Sequence, residues 1–207
     1  MQQGLVSTST KINWMEHGFY EYLLVVQPSQ AVCNKIIAEQ QQFFLEHGVK
    51  RVTLAMPHIT VAHFLAREGM EPTLIRWVQR ICSQQPGFEV TLNNYGGVPP
   101  HSVYVRVQDP LPFQQLAKQL KPVDDFIRSS SCPPAKLVGK PHINIAARLP
   151  EQVYMKAMAD YSAKTFHESF VAQELLLLRR ADPLEACKTV NVFRFLPVES
   201  GVYSKVA

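Results

Sequence analysis

The pentapeptide Pro57-His58-Ile59-Thr60-Val61 returns later in the chain as Pro141-His142-Ile143-Asn144-Ile145, changed at its fourth and fifth positions. The two histidines are 84 positions apart (142 − 58). Both copies alternate polar and apolar residues, and a period of two in a β-branched run predicts a strand. Side chains two apart on a strand share a face, so His58 and Thr60 project together, as do His142 and Asn144. Ile59 and Val61, like Ile143 and Ile145, turn towards a core. The same parity puts His63 on the face opposite His58. The motif recurs once, each time on a strand followed by a helix. That pattern predicts two lobes related by an internal repeat, with one motif strand in each.

The flanking sequence extends this pattern. Phe19–Val26 (FYEYLLVV) reads as a strand ended by Gln27-Pro28. Ser29 stands at an N-cap, and a helix follows to Glu46, with Val32, Ile36, Ile37, Phe43 and Phe44 at roughly helical spacing and Gly48 at its C-cap. The first motif lies on a strand over Val52–Phe64. A helix is expected over Glu71–Gln84, with Pro72 in its first turn. Phe88–Leu92 and Ser102–Val107 read as strands around a turn-rich loop, Asn93–Pro100. A helix over Pro112–Ile127 and a loop at Ser129–Pro134 lead to the second motif strand, Lys140–Arg148. Pro150–Lys164 reads as a helix. Strands at Val171–Arg180 and Thr189–Phe195 are joined through Asp182-Pro183. Interleaved helices and strands with hairpin-like pairs predict an α+β protein with mixed or antiparallel sheets. The expected organisation is an N-terminal arm (1–17), a single bilobal domain (18–197) and a C-terminal tail (198–207).

Composition bounds the class. In 207 residues, 46% are hydrophobic and 18% charged, which suits a packed core and excludes a disordered or supercharged chain. The net charge of +4 is compatible with an anionic substrate. The four cysteines, Cys33, Cys82, Cys132 and Cys187, are dispersed and without metal-ligand spacing, so free thiols in a reducing compartment are expected. The N-terminus lacks a basic region leading into an apolar one, and the apolar runs are short. A cytoplasmic protein without a membrane span is expected.

Two H-x-[ST]-x-like motifs about 80 residues apart on strands, in a bilobal α+β chain, resemble the 2H phosphoesterase superfamily. The branch they resemble is that of the 2′-5′ RNA ligase-like and cyclic phosphodiesterase proteins. Tyr95–Val107 (YGGVPPHSVYVRV) is similar to that family's aromatic, Gly/Pro turn and apolar strand. Pro141–Arg148 (PHINIAAR) is similar to its second motif strand, and Glu174–Pro197 to its C-terminal hairpin. The resemblance spans about Phe19 to Pro197. It implies a pseudo-symmetric fold, two small and mostly antiparallel sheets flanked by helices around a central cleft. It also implies a phosphodiesterase acting on a 2′,3′-cyclic phosphate or a 2′-5′-linked nucleotide or RNA end, with ligation as the reverse direction. Asn144 departs from the pattern, since Ser or Thr is usual there.

Such chemistry suits these residues. Cleaving a phosphodiester needs a nucleophile deprotonated and a leaving oxygen protonated. Two histidines on opposite sides of the phosphorus do both without a metal. The Thr60 hydroxyl and the Asn144 amide would donate to non-bridging oxygens. Tyr95, in a Gly-rich loop, is the candidate for stacking a base, and Lys140, Arg148 and Arg106 are candidates for meeting phosphate. His101 reads as a turn residue, and His17, His47 and His167 as surface or helix-end residues. A metal needs three or four converging ligands. Only His58 and His142 have a reason to meet, so neither metal nor cofactor is expected. The expected partner is a nucleotide or RNA terminus, met by a monomer. Two other readings stay open: a nucleotide- or RNA-binding module without turnover, raised by Asn144, and an enzyme acting on a non-nucleotide substrate such as a sugar.

Overall fold

Nine strands and five helices follow one another along residues 18–48, 56–182 and 185–198, the residues that this computed structural model describes. The expected arm over 1–17, the first residues of the Val52–Phe64 strand, Pro183 in the last turn and the tail beyond 198 lie outside them. β1 (Phe19–Val26) forms where expected. Pro28 cannot donate to a ladder, and beyond it the chain enters α1 (Gln30–His47). Gly48 closes that helix at φ +62°, a conformation that carries a steric penalty for residues with a Cβ. β2 (Ile59–Arg67) begins one residue after His58, so that Met56, Pro57 and His58 lead into the strand rather than lie in it, and it runs three residues past its expected end. A short 3-10 turn, Glu68–Met70, leads into α2 (Glu71–Cys82).

The chain then departs from the expected elements in four places. β3 (Phe88–Val98) absorbs most of the loop expected at Asn93–Pro100. It does so because Asn94, at φ +56°, lies in an irregularity between Leu92 and Tyr95, beyond which Gly96 and Gly97 stay paired with β4 (Ser102–Val107). The helix expected over Pro112–Ile127 is two, α3 (Leu111–Gln119) and α4 (Lys121–Ser129). Pro122 has no N–H and crowds the preceding turn, so the ladder breaks at Leu120. β5 (Lys136–Leu137) forms where no element was expected, held beside β2. The second motif strand is β6 (His142–Ala146), followed by α5 (Glu151–Ser162). The strand expected at Val171–Arg180 is two, β7 (His167–Ala172) and β8 (Glu174–Arg180), in different sheets; β9 (Lys188–Arg194) follows.

The strand pairs are antiparallel and build two sheets, ordered β5-β2-β1-β8-β9 and β6-β4-β3-β7. Apart from β5, the two orders correspond, with a motif strand at one end and its antiparallel neighbour next to it. The α+β architecture expected from the sequence is therefore the one observed: two antiparallel sheets flanked by helices.

The helices cross between lobes. α1 leaves the first sheet but packs on β6 and β7 of the second, beside α5 on β3 and β4. α3 leaves the second sheet but packs on β2 of the first, while α2 lies against β9. One main core results, in which Leu24 and Ile59 of the first sheet belong with Val105 and Ile143 of the second. Each such buried aliphatic side chain contributes roughly 1.5–3 kcal/mol. Among the described residues no helix is long and apolar enough to cross a membrane.

Helix α5 rests directly on β3 at Gly97. A Cβ there would lie 2.6 Å from Tyr154 Oη and 2.7 Å from Met158 Sδ. Tyr154 is buried, so its ring has to shift within a packed interior. Gly97→Ala should therefore cost about 1–3 kcal/mol, seen as a lower urea midpoint. An unchanged midpoint would show that α5 lifts off the sheet without penalty.

Candidate active site

The two faces of the first sheet differ. Tyr22, Leu24, Val26, Ile59 and Phe64 belong to the main core. Val25, Leu176 and Leu178, with Leu23 and Cys187 against them, form a separate apolar cluster on the other face. Thr60 lies opposite Val25 in the ladder, so it stands on that second face, and His58, two residues earlier, shares it. The register slips here: Leu24 faces Ala62 and Val25 faces Thr60, which leaves Val61 as a bulge. Val61 and Ala62 are both buried. The slip reverses the parity beyond it. His63, expected opposite His58, pairs with Leu23 and stands on the same face as Thr60.

On the second sheet Ile143 and Ile145 are buried in the main core, while half-buried His142 and exposed Asn144 occupy the opposite face. β4 supplies their neighbours, with Arg106 opposite His142 and Tyr104 opposite Asn144. The Tyr104 ring lies 4.6 Å, centroid to centroid, from the His142 imidazole.

The fold makes the two motif strands neighbours. β2 and β6 approach to within 8 Å between Cα atoms at the junction of the sheets. β5 pairs with Ala62 and His63 of β2, and Val138 N–H then donates to the Val61 carbonyl at 2.9 Å. His142 follows only four residues later. Two glutamines from the crossed helices hold this path: Gln114 Nε2 donates to the Gly139 carbonyl at 3.0 Å, and Gln40 Nε2 to the Asn144 carbonyl at 2.9 Å.

Both motif histidines are tethered alike. His58 Nδ1 lies 2.8 Å from the Met56 carbonyl, and His142 Nδ1 lies 2.8 Å from the Lys140 carbonyl. A carbonyl oxygen only accepts, so Nδ1 is the donor in each bond. In the neutral ring the lone pair is then on Nε2, the nitrogen left to exchange a proton. Burial lowers the pKa of His58 below its ordinary value. The bond to the Met56 carbonyl opposes that shift and the positive charge of Arg180 adds to it. The neutral form of His58 is favoured.

The sequence profile of the 2′-5′ RNA ligase superfamily matches residues 28–183. The chain belongs to this superfamily of 2H phosphoesterases. E. coli LigT complexed with 3′-AMP superposes with a TM-score of 0.64 at 17% identity, over 86% of this chain and 98% of that one. A structure described as a phosphoesterase gives 0.61 at 18% identity, over 86% and 98%. TT0787 of Thermus thermophilus gives 0.60 at 16% identity, over 84% and 97%. At these identities the likeness is one of fold. No curated protein sequence matches the chain.

In this superfamily member Tyr95 does not line the site. The strand runs on through its position, and it faces Val105 on the core side, edge-on to Tyr161 at 4.7 Å and near Phe166 at 5.9 Å. Burial, and then the adjacent Glu39 carboxylate, push its hydroxyl well above the usual pKa. Lys140 and Arg148 are exposed on either side of β6, Arg148 at φ +58°, and Arg106 is exposed beside His142. His101 is in the β3–β4 turn, where its carbonyl accepts from Leu149 N–H. His167 opens β7 and is exposed. His47 is at a helix end as expected, but its ring is buried against Phe43, 4.6 Å away. His17 lies outside the described residues.

Sequence parity missed a charged cluster on the first sheet's open face. His63 Nε2 lies 2.6 Å from Glu21 Oε1, and Arg180 Nε donates to Glu21 Oε2 across the β1–β8 pair. The available signal was an acid inside FYEYLLVV and a base ending LLLLRR, each a charge in an apolar strand. Burial pushes the Glu21 carboxyl up, but the hydrogen bonds from His63 and Arg180 outweigh it and bring the group to about 2, from 4.5. A carboxyl depressed in the fold stabilises it above the unfolded pKa and loses that contribution as pH falls from 4.5 towards 2. Glu21→Gln should cost about 1–3 kcal/mol near neutral pH, less than a fully buried pair because its partners are partly exposed. Urea titrations across pH should show the gap to wild type closing in the acid window. A gap independent of pH would rule out a contribution from the charge.

Proposed function

We propose that this chain is a metal-independent phosphodiesterase that opens 2′,3′-cyclic phosphates or 2′-5′ linkages at nucleotide or RNA ends. His58 and His142 are its proton-transfer pair. The observation that carries this reading is the shared tether: both histidines donate through Nδ1 to a carbonyl two residues back, His58 immediately before β2 and His142 at the start of β6, two strands that adjoin. Membership of a phosphoesterase and ligase family supports it. So do structures of E. coli LigT, of the same fold, complexed with 3′-AMP, phosphate, NADP+ and ATP.

In hydrolysis of a cyclic phosphate, His58 Nε2 takes a proton from water as the water oxygen bonds to phosphorus. One phosphorus–ribose oxygen bond breaks, and His142, protonated, gives its Nε2 proton to the departing oxygen. Ligation would place the hydroxyl of a second RNA end where water stands, so that its oxygen bonds to phosphorus as the same ribose oxygen leaves, with the histidines in the same roles. The lowered pKa of His58 supports its part as base. Thr60 and Asn144, each two residues beyond its histidine on the same face, donate to non-bridging oxygens. Lys140 and Arg148 supply positive charge at the rim. The reading takes the enzyme to be a cytoplasmic monomer; four unpaired cysteines fit a reducing compartment.

Turnover of a panel of 2′,3′-cyclic nucleotides and 2′-5′ dinucleotides in EDTA tests the proposal. His58→Ala and His142→Ala should each lower kcat by about 10²–10⁴-fold. Binding without turnover would support the nucleotide-binding module that Asn144 favours, and neither binding nor turnover would point to a different substrate. The pH profile of kcat/KM should be bell-shaped, provided chemistry limits the rate. Its acidic limb should fall below about 6.5, the ordinary histidine value, because His58 acts neutral. A flat profile would remove the histidine pair from the mechanism.

A further inference from the structure

Tyr104 shares the face of His142 and Asn144, and no step above uses it. It sits on β4 between Asn144 of β6 and Gly96 of β3, its partners across the two ladders. Its ring touches the His142 imidazole, with centroids 4.6 Å apart and planes at 44°. Gly96 makes this placement possible. A Cβ at Gly96 would lie 2.9 Å from Tyr104 Cε2 and Cζ and 3.0 Å from Oη. Side chains on a strand ordinarily stand away from the sheet. Here the phenol ring lies down across the neighbouring strand, in the space that any other residue would fill. Gly96 does not have the positive φ that would itself demand glycine, so its missing side chain matters for room alone. The ring is only half-buried.

A flat, partly exposed aromatic ring against the proposed acid suits one kind of substrate group. Every nucleobase has a π-face, and stacking on an aromatic side chain tolerates any base. We propose that Tyr104, laid flat over Gly96, is the platform for the base of the nucleotide whose phosphate is cleaved. The site thereby selects nucleotide esters over phosphodiesters that lack a base. This rests on the phosphodiesterase reading above and assigns to Tyr104 the stacking role that buried Tyr95 does not fill.

The test compares kcat/KM for 2′,3′-cyclic nucleotides with kcat/KM for methyl riboside 2′,3′-cyclic phosphate, which keeps the ribose and phosphate and lacks the base. Wild type should favour the nucleotides by about ten-fold or more, with little difference among bases. Tyr104→Leu should collapse that ratio, and Tyr104→Phe should restore it. Gly96→Ala keeps the tyrosine but tips its ring off the sheet, so it should collapse the ratio too. Equal losses on both substrates in Tyr104→Leu would overturn the platform and leave Tyr104 as packing for His142. Equal rates on both substrates in wild type would also overturn it, with the phosphodiesterase reading intact. If wild type turns over neither substrate, that reading fails, and calorimetry with adenosine 3′-monophosphate decides the platform by itself. Weaker binding to Tyr104→Leu and Gly96→Ala than to wild type would sustain it, and equal binding would overturn it.

Discussion

Val61 bulges out of the β1–β2 ladder, and its carbonyl accepts the N–H of Val138. Such a bond is worth only about 1 kcal/mol net, yet the geometry of the site follows from it. The bulge sets the phase of β2, so that Thr60 and His63 emerge on one face although they are three positions apart. The bond to Val138 pins the incoming chain against the first sheet. Four residues later the chain is β6 of the second sheet, with His142 as its first residue. One irregular residue thus aims the first motif and fixes where the second begins.

The two halves of the site are alike in how they hold a histidine and unlike in what surrounds it. His58 stands on a face with the small apolar cluster of Val25, Leu176 and Leu178, and Arg180 disfavours its cation. His142 lies against Tyr104, with exposed Arg106 and Asn144 beside it. A repeat would make two equivalent groups, whereas the proposed proton transfer needs an acid and a base. The asymmetry lies in neighbours contributed by β1, β8 and β4, not in the motifs themselves. The charge of Arg180 is in turn balanced by Glu21, which also engages His63.

Crossed helices hold the lobes in place. α1 packs under the second sheet and α3 under the first, so the lobes share one core. Gln40 and Gln114 reach from these helices to carbonyls on the path through β6. The same burial that stabilises the fold therefore positions the second motif strand.

Much of this was legible in the residues. Alternation around His58 and His142, capping by Gly48 and the apolar faces of the helices are local features, set by side-chain period and backbone sterics. They were enough for the α+β class, most of the elements and the pairing of the two motifs. Parity failed wherever the ladder slipped. It misplaced His63 because nothing in ITVAHF marks Val61 as the residue left out of register, and it missed that Asn94 carries the strand through Tyr95 into the core. Glu21 and Arg180 lie 159 positions apart, a separation that only β1–β8 pairing closes. Tyr104 was plainly a strand residue, but its importance depends on the room that Gly96 leaves across the ladder. The sequence by itself determined which residues are candidates for the chemistry and near which kind of element they stand, because those choices are local. Tertiary structure decided which faces they share and what stands beside them, because register and sheet pairing arise from contacts between distant strands.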